Sequence, residues 1–298
     1  MANNTIPFRK YFDNGAPKIL GYHSKSTGRK AGKWEIFDNK GCLREVGFFD
    51  NDKKTGKWSY YNRYGRLRST GYYEQNKQNG KWHFYINGNL DSVGTYKAGK
   101  PHGEWQYFQN GSLSTIGVFD NGQQSGEWKW FHTNSNVKEV IPYVQNQKHG
   151  EAFTYGTDGS LIRTETFNNG LKSGECRFFY DNGNLKENGY YEDGKKSGEW
   201  KYYSISGRLV ETINYLDDRR HGESRSFREN GTLLIIESYS HGDHTGDYKG
   251  FHENGKIREE GFFRKSKRTG EWKFYNSEGK LFRTDTYNAG QRIDSIEF

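Results

Sequence analysis

The stretch 270–287, GEWKFYNSEGKLFRTDTY, carries the pattern that decides the fold. The same pattern occurs at residue 198 as GEWKYYSISGRLVETINY and at residue 56 as GKWSYYNRYGRLRSTGYY. Each copy opens with a glycine, usually has Trp two positions later, and closes with an aromatic residue at position 17, where the opening glycine is position 0. Because a fixed period of about 20–50 residues is typical of repeat architectures, the sequence predicts a repeat array.

Full copies follow one another along most of the chain. They open at Gly32, Gly56, Gly80, Gly103, Gly126, Gly150, Gly174, Gly198, Gly222, Gly246 and Gly270. The steps are 24 residues long, except for two steps of 23 residues that start at Gly80 and Gly103. We therefore predict a single repeat domain over residues 1–298, with a partial capping repeat at 1–31, eleven repeats at 32–287 and a C-terminal cap at 288–298.

Turn signals predict that each copy is one β-hairpin. Asn-Gly dipeptides, such as Asn87-Gly88 and Asn182-Gly183, separate two aromatic-rich runs, and Asn-Gly in that setting is a strong hairpin signal. A two-stranded hairpin is marginally stable alone, so the hairpins should pair side by side. The predicted fold class is all-β: an elongated array of about eleven 23–24-residue hairpins in one long, twisted antiparallel sheet.

The alternation of side chains along a strand predicts two faces. Positions 5, 11 and 17 share parity and are aromatic or aliphatic in all nine 24-residue copies, so we assign them to the structural ladder. Positions 2 and 4 fall on the opposite parity and vary more, as a partner-specific surface on a common scaffold would. Since Trp fills position 2 in seven of the eleven copies, a second structural layer is an open alternative for that position.

The varying face of the first five repeats is the predicted partner-binding surface, because Trp, Tyr and Arg are enriched at binding hot spots. The predicted residues are Trp58, Tyr60, Tyr72, Trp82, Phe84, Trp105, Tyr107, Trp128, Trp130, Lys57, Lys81 and Arg66. Residues 1–149 contain 22 Lys and Arg against 12 Asp and Glu, whereas residues 150–298 contain 23 against 25. This excess of positive charge in residues 1–149 predicts that the partner has an acidic contact region. The open alternative is that the lysines protect strand edges against aggregation.

No constellation of catalytic groups can be read from the sequence, so we expect no enzymatic activity, no metal and no cofactor. His241 and His244, with Asp247 and His252 nearby, form an HxxH cluster on a loop, which fixes neither geometry nor a third ligand. Cys176 occupies position 2, where other copies have Trp. It is either a small packing residue or an activated thiol, and the sequence leaves both alternatives open. The two cysteines and the absence of an apolar leader predict a cytoplasmic protein.

The glycine, Trp and aromatic spacing over about residues 10–290 resembles the MORN-repeat-variant family and, more narrowly, the bacterial YwqK-type antitoxin proteins. The resemblance implies an immunity protein that binds and neutralises a cognate toxin encoded nearby, with no small-molecule substrate. Related eukaryotic arrays imply the alternative of a membrane-surface or protein-interaction scaffold that binds anionic lipid. Aromatic residues beside a basic groove would also suit nucleic acid, but an acidic position 1 in eight repeats argues against it.

Overall fold

The structure, a computed structural model, describes residues 4–298, and all of its 26 strands lie in antiparallel sheet. The predicted fold class, an all-β array of antiparallel hairpins with a period of 23–24 residues, is confirmed. No helix long and apolar enough to cross a membrane occurs among these residues. Residues 1–3 of the predicted N-terminal cap lie outside the described part of the chain.

The chain divides into two compact units, Met1–Gln147 (unit 1) and Lys148–Phe298 (unit 2). The strands of unit 1 are β1 Thr5–Tyr11, β2 Pro17–Ser24, β3 Gly32–Phe37, β4 Leu43–Asp50, β5 Lys53–Tyr61, β6 Leu67–Glu74, β7 Lys77–Ile86, β8 Asn89–Lys97, β9 Lys100–Gln109, β10 Ser112–Asp120, β11 Gln123–Phe131 and β12 Val137–Val144. The two-residue strand β13, Gln147–Lys148, falls at the division. The strands of unit 2 are β14 Gly150–Tyr155, β15 Leu161–Asn168, β16 Leu171–Phe179, β17 Leu185–Glu192, β18 Lys195–Tyr203, β19 Leu209–Leu216, β20 Arg219–Phe227, β21 Leu233–Ser240, β22 Asp243–Phe251, β23 Ile257–Arg264, β24 Lys267–Tyr275, β25 Leu281–Asn288 and β26 Gln291–Glu297. The single domain predicted over residues 1–298 stays a prediction.

The hairpin turns explain the two repeat lengths. In the 23-residue repeats the turn is a two-residue Asn-Gly, and both residues of Asn87-Gly88 have positive φ (53° and 92°), as a type I′ turn requires. In the 24-residue repeats the turn is one residue longer. Asn62 there donates its N–H to the carbonyl of Arg66 (2.9 Å) and accepts from the N–H of Gly65 (3.0 Å). Asn182-Gly183 lies in such a longer turn, because Gly183 donates to the carbonyl of Tyr180 (2.8 Å).

The opposite turns, between repeats, tie each hairpin to the one before it. Asn76 donates its N–H to the carbonyl of Lys54 (3.0 Å), and its Oδ1 accepts the N–H of Lys54 (2.6 Å). Asp218 and Lys196 repeat this reciprocal pair in unit 2 at 3.1 and 2.7 Å. The backbone groups of one turn are thereby satisfied by the next hairpin, which stacks the hairpins in register.

The opening glycines sit at corners that other residues would strain. All eleven have φ between +61° and +113°, a region that residues with a Cβ rarely adopt. In the β4–β5 pair, Thr55 lies opposite Phe48 and Ser59 lies opposite Val46. Three residues of β5, beginning with Gly56, therefore stand against one residue of β4, so β5 has two extra residues and bulges there. Each repeat needs its first glycine because the strand bends there.

A second bulge reverses part of the predicted parity. In the β5–β6 pair, Tyr60 lies opposite Ser69 and Tyr61 lies opposite Leu67, so the single residue Arg68 is left between them. Leu67 and Ser69 therefore point to opposite faces. The prediction that positions 5, 11 and 17 share one face is wrong, because position 17 lies on the Trp face and positions 5 and 11 lie on the other.

Tryptophan at position 2 and the closing aromatic at position 17 build the core of unit 1. The ring of Phe49 stands edge-on to Trp58 (5.1 Å, 87°), and Tyr73 stands edge-on to Trp82 (5.2 Å, 89°). Each closing aromatic thus lies between successive tryptophans, an arrangement that stabilises each pair by about 0.5–1.5 kcal/mol beyond burial. The indole of Trp58 also donates its Nε1–H to the carbonyl of Phe48 (3.0 Å), so its polar atom is satisfied.

Each buried tryptophan lies flat on a glycine of the preceding hairpin. A Cβ added at Gly71 would come within 2.2 Å of the Trp82 ring, closer than any real contact allows. The pairs of this kind are Gly21 and Trp34, Gly47 and Trp58, Gly71 and Trp82, Gly94 and Trp105, Gly117 and Trp128, Gly189 and Trp200, and Gly261 and Trp272. This pairing is visible in the sequence as a glycine at position 14 or 15 before each Trp-bearing repeat, a signal that the parity argument missed.

Unit 2 replaces several of these pairs by a large residue opposite a small one. Ile213 lies opposite Ser224, and Glu165 lies opposite Cys176; all four are buried. The carboxylate of Glu165 lies 2.6 Å from the Nζ of Lys172, so its charge is paired. The volume of the pair is kept roughly constant, which is how a close-packed core tolerates substitution.

Candidate partner-binding site

Four of the five tryptophans among the predicted binding residues, those at position 2, lie in the core. Trp58, Trp82, Trp105 and Trp128 are between 0% and 5% exposed, and each packs on a glycine of the preceding hairpin. A side chain buried to this degree offers no surface to a partner in the folded protein. The prediction that they line an exposed face is therefore wrong, and the alternative of a structural layer at position 2 is correct.

The aromatic residues at position 4 form a second column of the same core. Tyr60 lies between Trp58 and Trp82, with ring centroids 6.1 and 6.3 Å away. Its hydroxyl donates to that of Tyr73 (3.1 Å) and accepts from the Nζ of Lys54 (3.0 Å). Burial raises the pKa of Tyr60 above its ordinary value. The other members of this column are the half-buried Phe84, Tyr107 and Trp130.

A cation at position −2 covers this column and was missed by the sequence argument. The ammonium of Lys54 lies 4.0 Å from the centroid of Trp58 and 3.5 Å from the carboxylate of Glu45. In unit 2, Lys196 lies 3.7 Å from the centroid of Trp200 and 3.8 Å from Glu187. The lysine stems and charges shield the ring faces from water, so these cations are part of the packing.

The remaining predicted residues point away from the tryptophans. We call this side of the sheet, in unit 1, the outer face. Lys57 lies opposite Tyr72 across β5 and β6, and Lys81 occupies the equivalent place on β7; all three side chains are exposed. Arg66 is exposed at the hairpin turn, where its Nη1 is 3.5 Å from the carbonyl of Asn87. Their role as binding residues stays a prediction.

The outer face also carries an aromatic row, of which the sequence argument predicted only Tyr72. Tyr22, Phe48 and Tyr72 stand at position 16 of successive hairpins and are 42%, 44% and 51% exposed. Two of them have a lysine directly opposite in the same row, because Lys33 lies opposite Phe48 and Lys57 lies opposite Tyr72. The sequence signal was an aromatic residue directly before the closing aromatic, in YH, FF and YY.

The charge of this row is unbalanced. Lys33 has an ion pair with Glu35 (2.6 Å), but neither Lys57 nor Lys81 has one with any residue of 4–298. The pKa of His83, on the same face, is lowered below its ordinary value by burial and then by the charges of Lys81 and Lys57. The outer face is therefore electropositive at Lys57 and Lys81, where charges without partners attract an anion.

In five of the seven repeats from the fifth onward, positions 1 and 3 neutralise each other within one strand. Glu127 and Lys129 lie 3.4 Å apart in unit 1, at positions 1 and 3. In unit 2 the pairs are Glu175 with Arg177 at 2.6 Å, Glu199 with Lys201 at 3.3 Å, Glu223 with Arg225 at 2.6 Å and Glu271 with Lys273 at 3.7 Å. These exposed pairs add little stability, but they leave no excess charge, unlike the first repeats.

The histidine cluster and Cys176 have packing roles. His244 stacks on Phe263 (3.9 Å), whereas the Nε2 of His252 lies 2.8 Å from the carbonyl of Tyr275. Within residues 4–298, no three His, Cys, Asp or Glu side chains are grouped so that they could hold a metal ion. Burial raises the pKa of Cys176 to about 12, so its thiol is protonated at neutral pH and fills the slot as a small packing residue.

His244 is expected to make unit 2 sensitive to acid. Burial lowers its pKa below the ordinary 6.5, against the opposing effect of Glu237 at 3.4 Å. The unfolded chain therefore binds a proton before the folded one, and the free energy of unfolding should fall as the pH drops through 6.5. His244→Phe, which keeps the ring between Tyr239 and Phe263, should flatten this dependence in urea titrations at pH 5 and pH 7.5.

The control for this prediction is His241→Asn, at an exposed turn where φ is +50° and Asn is tolerated. It should retain the pH dependence of the original protein. An unchanged dependence in His244→Phe would contradict the assignment to His244.

Comparison with known proteins identifies the repeat. The family model described as MORN repeat variant matches residues 124–145, 172–193, 220–241, 245–265 and 268–289. The repeats at these positions are MORN repeat variants. Three of the matched segments start at the cation of position −2, namely Lys172, Arg220 and Arg268, and all five end in the turn after the closing aromatic.

Other comparisons add no functional information. No curated protein matches the chain. Among solved structures, a crystal structure of TcdB2-TccC3 without its hypervariable C-terminal region is 12% identical, over 95% of this chain and 14% of that chain, with a TM-score of 0.20. A structure of the Photorhabdus luminescens Tc holotoxin pore is 11% identical, over 96% of this chain and 18% of that chain, with a TM-score of 0.18. This chain spans less than a fifth of either relative, and scores this low do not indicate a shared fold.

Proposed function

We propose that this MORN-variant array is a non-catalytic, cytoplasmic scaffold that binds an acidic surface of a partner protein through the outer face of its first repeats. The observation that carries the proposal is the pair of unpaired cations, Lys57 and Lys81, beside the exposed ring of Tyr72. Tyrosine and cations without intramolecular partners are the groups that supply hot spots and electrostatic steering. The buried tryptophan ladder holds their backbones in place, so little ordering is needed on binding.

The specific form that we propose is immunity: the partner is a cognate toxin encoded nearby, and binding silences it. The support for this form is the resemblance of the repeat to YwqK-type antitoxin proteins. A scaffold role without a toxin is the coarser alternative and would use the same face.

Affinity capture tests both levels. The chain, its Lys57→Glu/Lys81→Glu variant and a charge-matched control, Lys53→Glu/Lys77→Glu, would be used as baits in native lysate at moderate salt. The control lysines are the exposed first residues of β5 and β7, next to the turns between repeats and four residues before Lys57 and Lys81. We expect one protein to be captured by the chain and the control and lost from the Lys57/Lys81 variant, since reversing two charges turns attraction into repulsion.

The captured protein would then be expressed alone and together with the chain. Growth arrest that the chain relieves, and that the Lys57/Lys81 variant does not relieve, supports immunity. If the captured protein is not toxic, the immunity role is wrong and the scaffold role stands. Equal capture by all three baits would show that the outer face is not the binding surface.

Anionic lipid is the second candidate, because exposed rings such as Phe48 and Tyr72 beside lysines suit a membrane interface. Flotation with vesicles of phosphatidylcholine alone, and with added phosphatidylserine, separates it from protein binding. Binding to the anionic vesicles that Lys57→Glu/Lys81→Glu abolishes, without capture of a protein, would favour the lipid.

A further inference from the structure

The outer row of unit 1 has a period that only some ligands can match. Lys33, Lys57 and Lys81 stand on β3, β5 and β7, so one strand separates each from the next. Neighbouring strands are about 4.7–4.9 Å apart, which places these lysines at intervals of about 9.4–9.8 Å along the sheet. The aromatic residues of the row, Tyr22 and Phe48 among them, recur with the same interval on β2, β4 and β6.

A polyproline II segment has the same period. It has three residues per turn and rises about 3.1 Å per residue, so every third side chain points the same way at intervals of about 9.3 Å. In an extended β-strand every third residue points to the opposite face, because side chains alternate. In an α-helix, side chains seven residues apart share a face and are separated by about 10.5 Å along the axis. This distance exceeds the interval between the lysines by about 1 Å, and the mismatch grows with each repeat.

We propose that the outer row binds an acidic polyproline II segment of the protein partner, with a carboxylate at every third residue. The carboxylates meet Lys57 and Lys81, which have no ion pair of their own, and Lys33 at the end of the row. The intervening residues, proline among them, lie on the exposed rings, as polyproline II ligands do in aromatic-lined grooves. The proposal rests on the proposed function and names the partner's binding segment.

The residues at both ends of the row fit an acidic polyproline II segment of limited length. At one end, a concavity of about 470 Å³ is lined by Arg9, Tyr11, Leu20, Tyr22 and Lys33. It provides a fourth cation, since Arg9 has no ion pair with any described residue. At the other end the row stops, because the third repeat has Thr95 opposite Lys81 in place of an aromatic residue, and the fourth repeat carries Glu104 at position 1. The segment is therefore about four triplets long.

Fluorescence polarisation with labelled peptides tests the period. The first peptide has four Glu-Pro-Pro triplets, the second has the same composition with its glutamates in adjacent pairs, and the third has four Lys-Pro-Pro triplets. We expect the first to bind at least tenfold more tightly than the second, and the third not to bind. Equal binding of the first two would overturn the proposal, because charge alone would then explain it.

Variants of the full chain assign the binding to the row. Lys57→Glu/Lys81→Glu should weaken binding of the first peptide at least tenfold, and Tyr72→Ala should weaken it severalfold at unchanged salt dependence. Lys53→Glu/Lys77→Glu should leave it unchanged, and equal losses in both charge variants would overturn the proposal.

The failure of this inference can be told from failure of the proposed function. If the triplet peptide does not bind while partner capture still depends on Lys57 and Lys81, the polyproline II ligand is wrong and the binding face stands. If capture does not depend on these lysines, the proposed function is wrong as well.

Discussion

A Gly71→Ile substitution is expected to destabilise unit 1 severely, and Trp82→Ser in the same protein is expected to restore much of the loss. The added side chain would meet the Trp82 ring, which is 2.2 Å from the position of a Cβ at Gly71. We expect a cost of about 3 kcal/mol for this overpacking. Trp82→Ser alone removes a side chain that is 1% exposed and should cost about 3–5 kcal/mol.

The double variant reproduces a pair that the chain already contains. In unit 2, Ile213 lies opposite Ser224, and both are almost fully buried. Urea denaturation should therefore show that the double variant loses about 2–3 kcal/mol less unfolding free energy than the sum of the two single losses. Tyr72→Ile, next in sequence but exposed on the outer face, is the control and should change stability by about 0.5 kcal/mol or less. Strict additivity would refute the direct glycine–tryptophan contact.

The second large effect is expected where unit 2 interrupts the ladder. Cys176→Trp alone should cost about 3 kcal/mol, because the indole would need the space of the buried Glu165 side chain opposite it. Combined with Glu165→Gly it should recover at least the original stability, since the pair then resembles Gly189 and Trp200. Replacing a buried ion pair by apolar packing is often neutral or stabilising by about 1–4 kcal/mol.

The neighbouring residues of this site already suit a tryptophan. Phe167 and Tyr191 are the closing aromatics on either side, and Lys172 occupies the position of the covering cation. Glu187→Gly with Cys176→Trp is the matched control, because Glu187 lies opposite Phe178, whereas the residue opposite Cys176 on that strand is Gly189. Rescue by that control, or none by Glu165→Gly, would show that the Glu165 side chain does not occupy the missing ring's place.

The candidate site divides into a part that the sequence predicted and a part that it assigned wrongly. Lys57, Lys81 and Tyr72 were predicted and are exposed together on one face. Trp58 and Trp82 were predicted with them and are buried. The reason is the bulge at residues such as Arg68, which adds one residue to a strand and exchanges its faces without any change in the residue types at the repeat positions.

The sequence by itself determined the period, the hairpins and the antiparallel pairing. These follow from local chemistry: glycine and Asn-Gly set the turns, and alternating aromatic residues need a sheet to bury them. Only the tertiary structure decided which face is the core. That choice depends on strand register, on two bulges in each repeat and on the contact of each tryptophan with a glycine of the preceding hairpin. Register and contact are properties of paired strands, so a parity count along one strand cannot supply them.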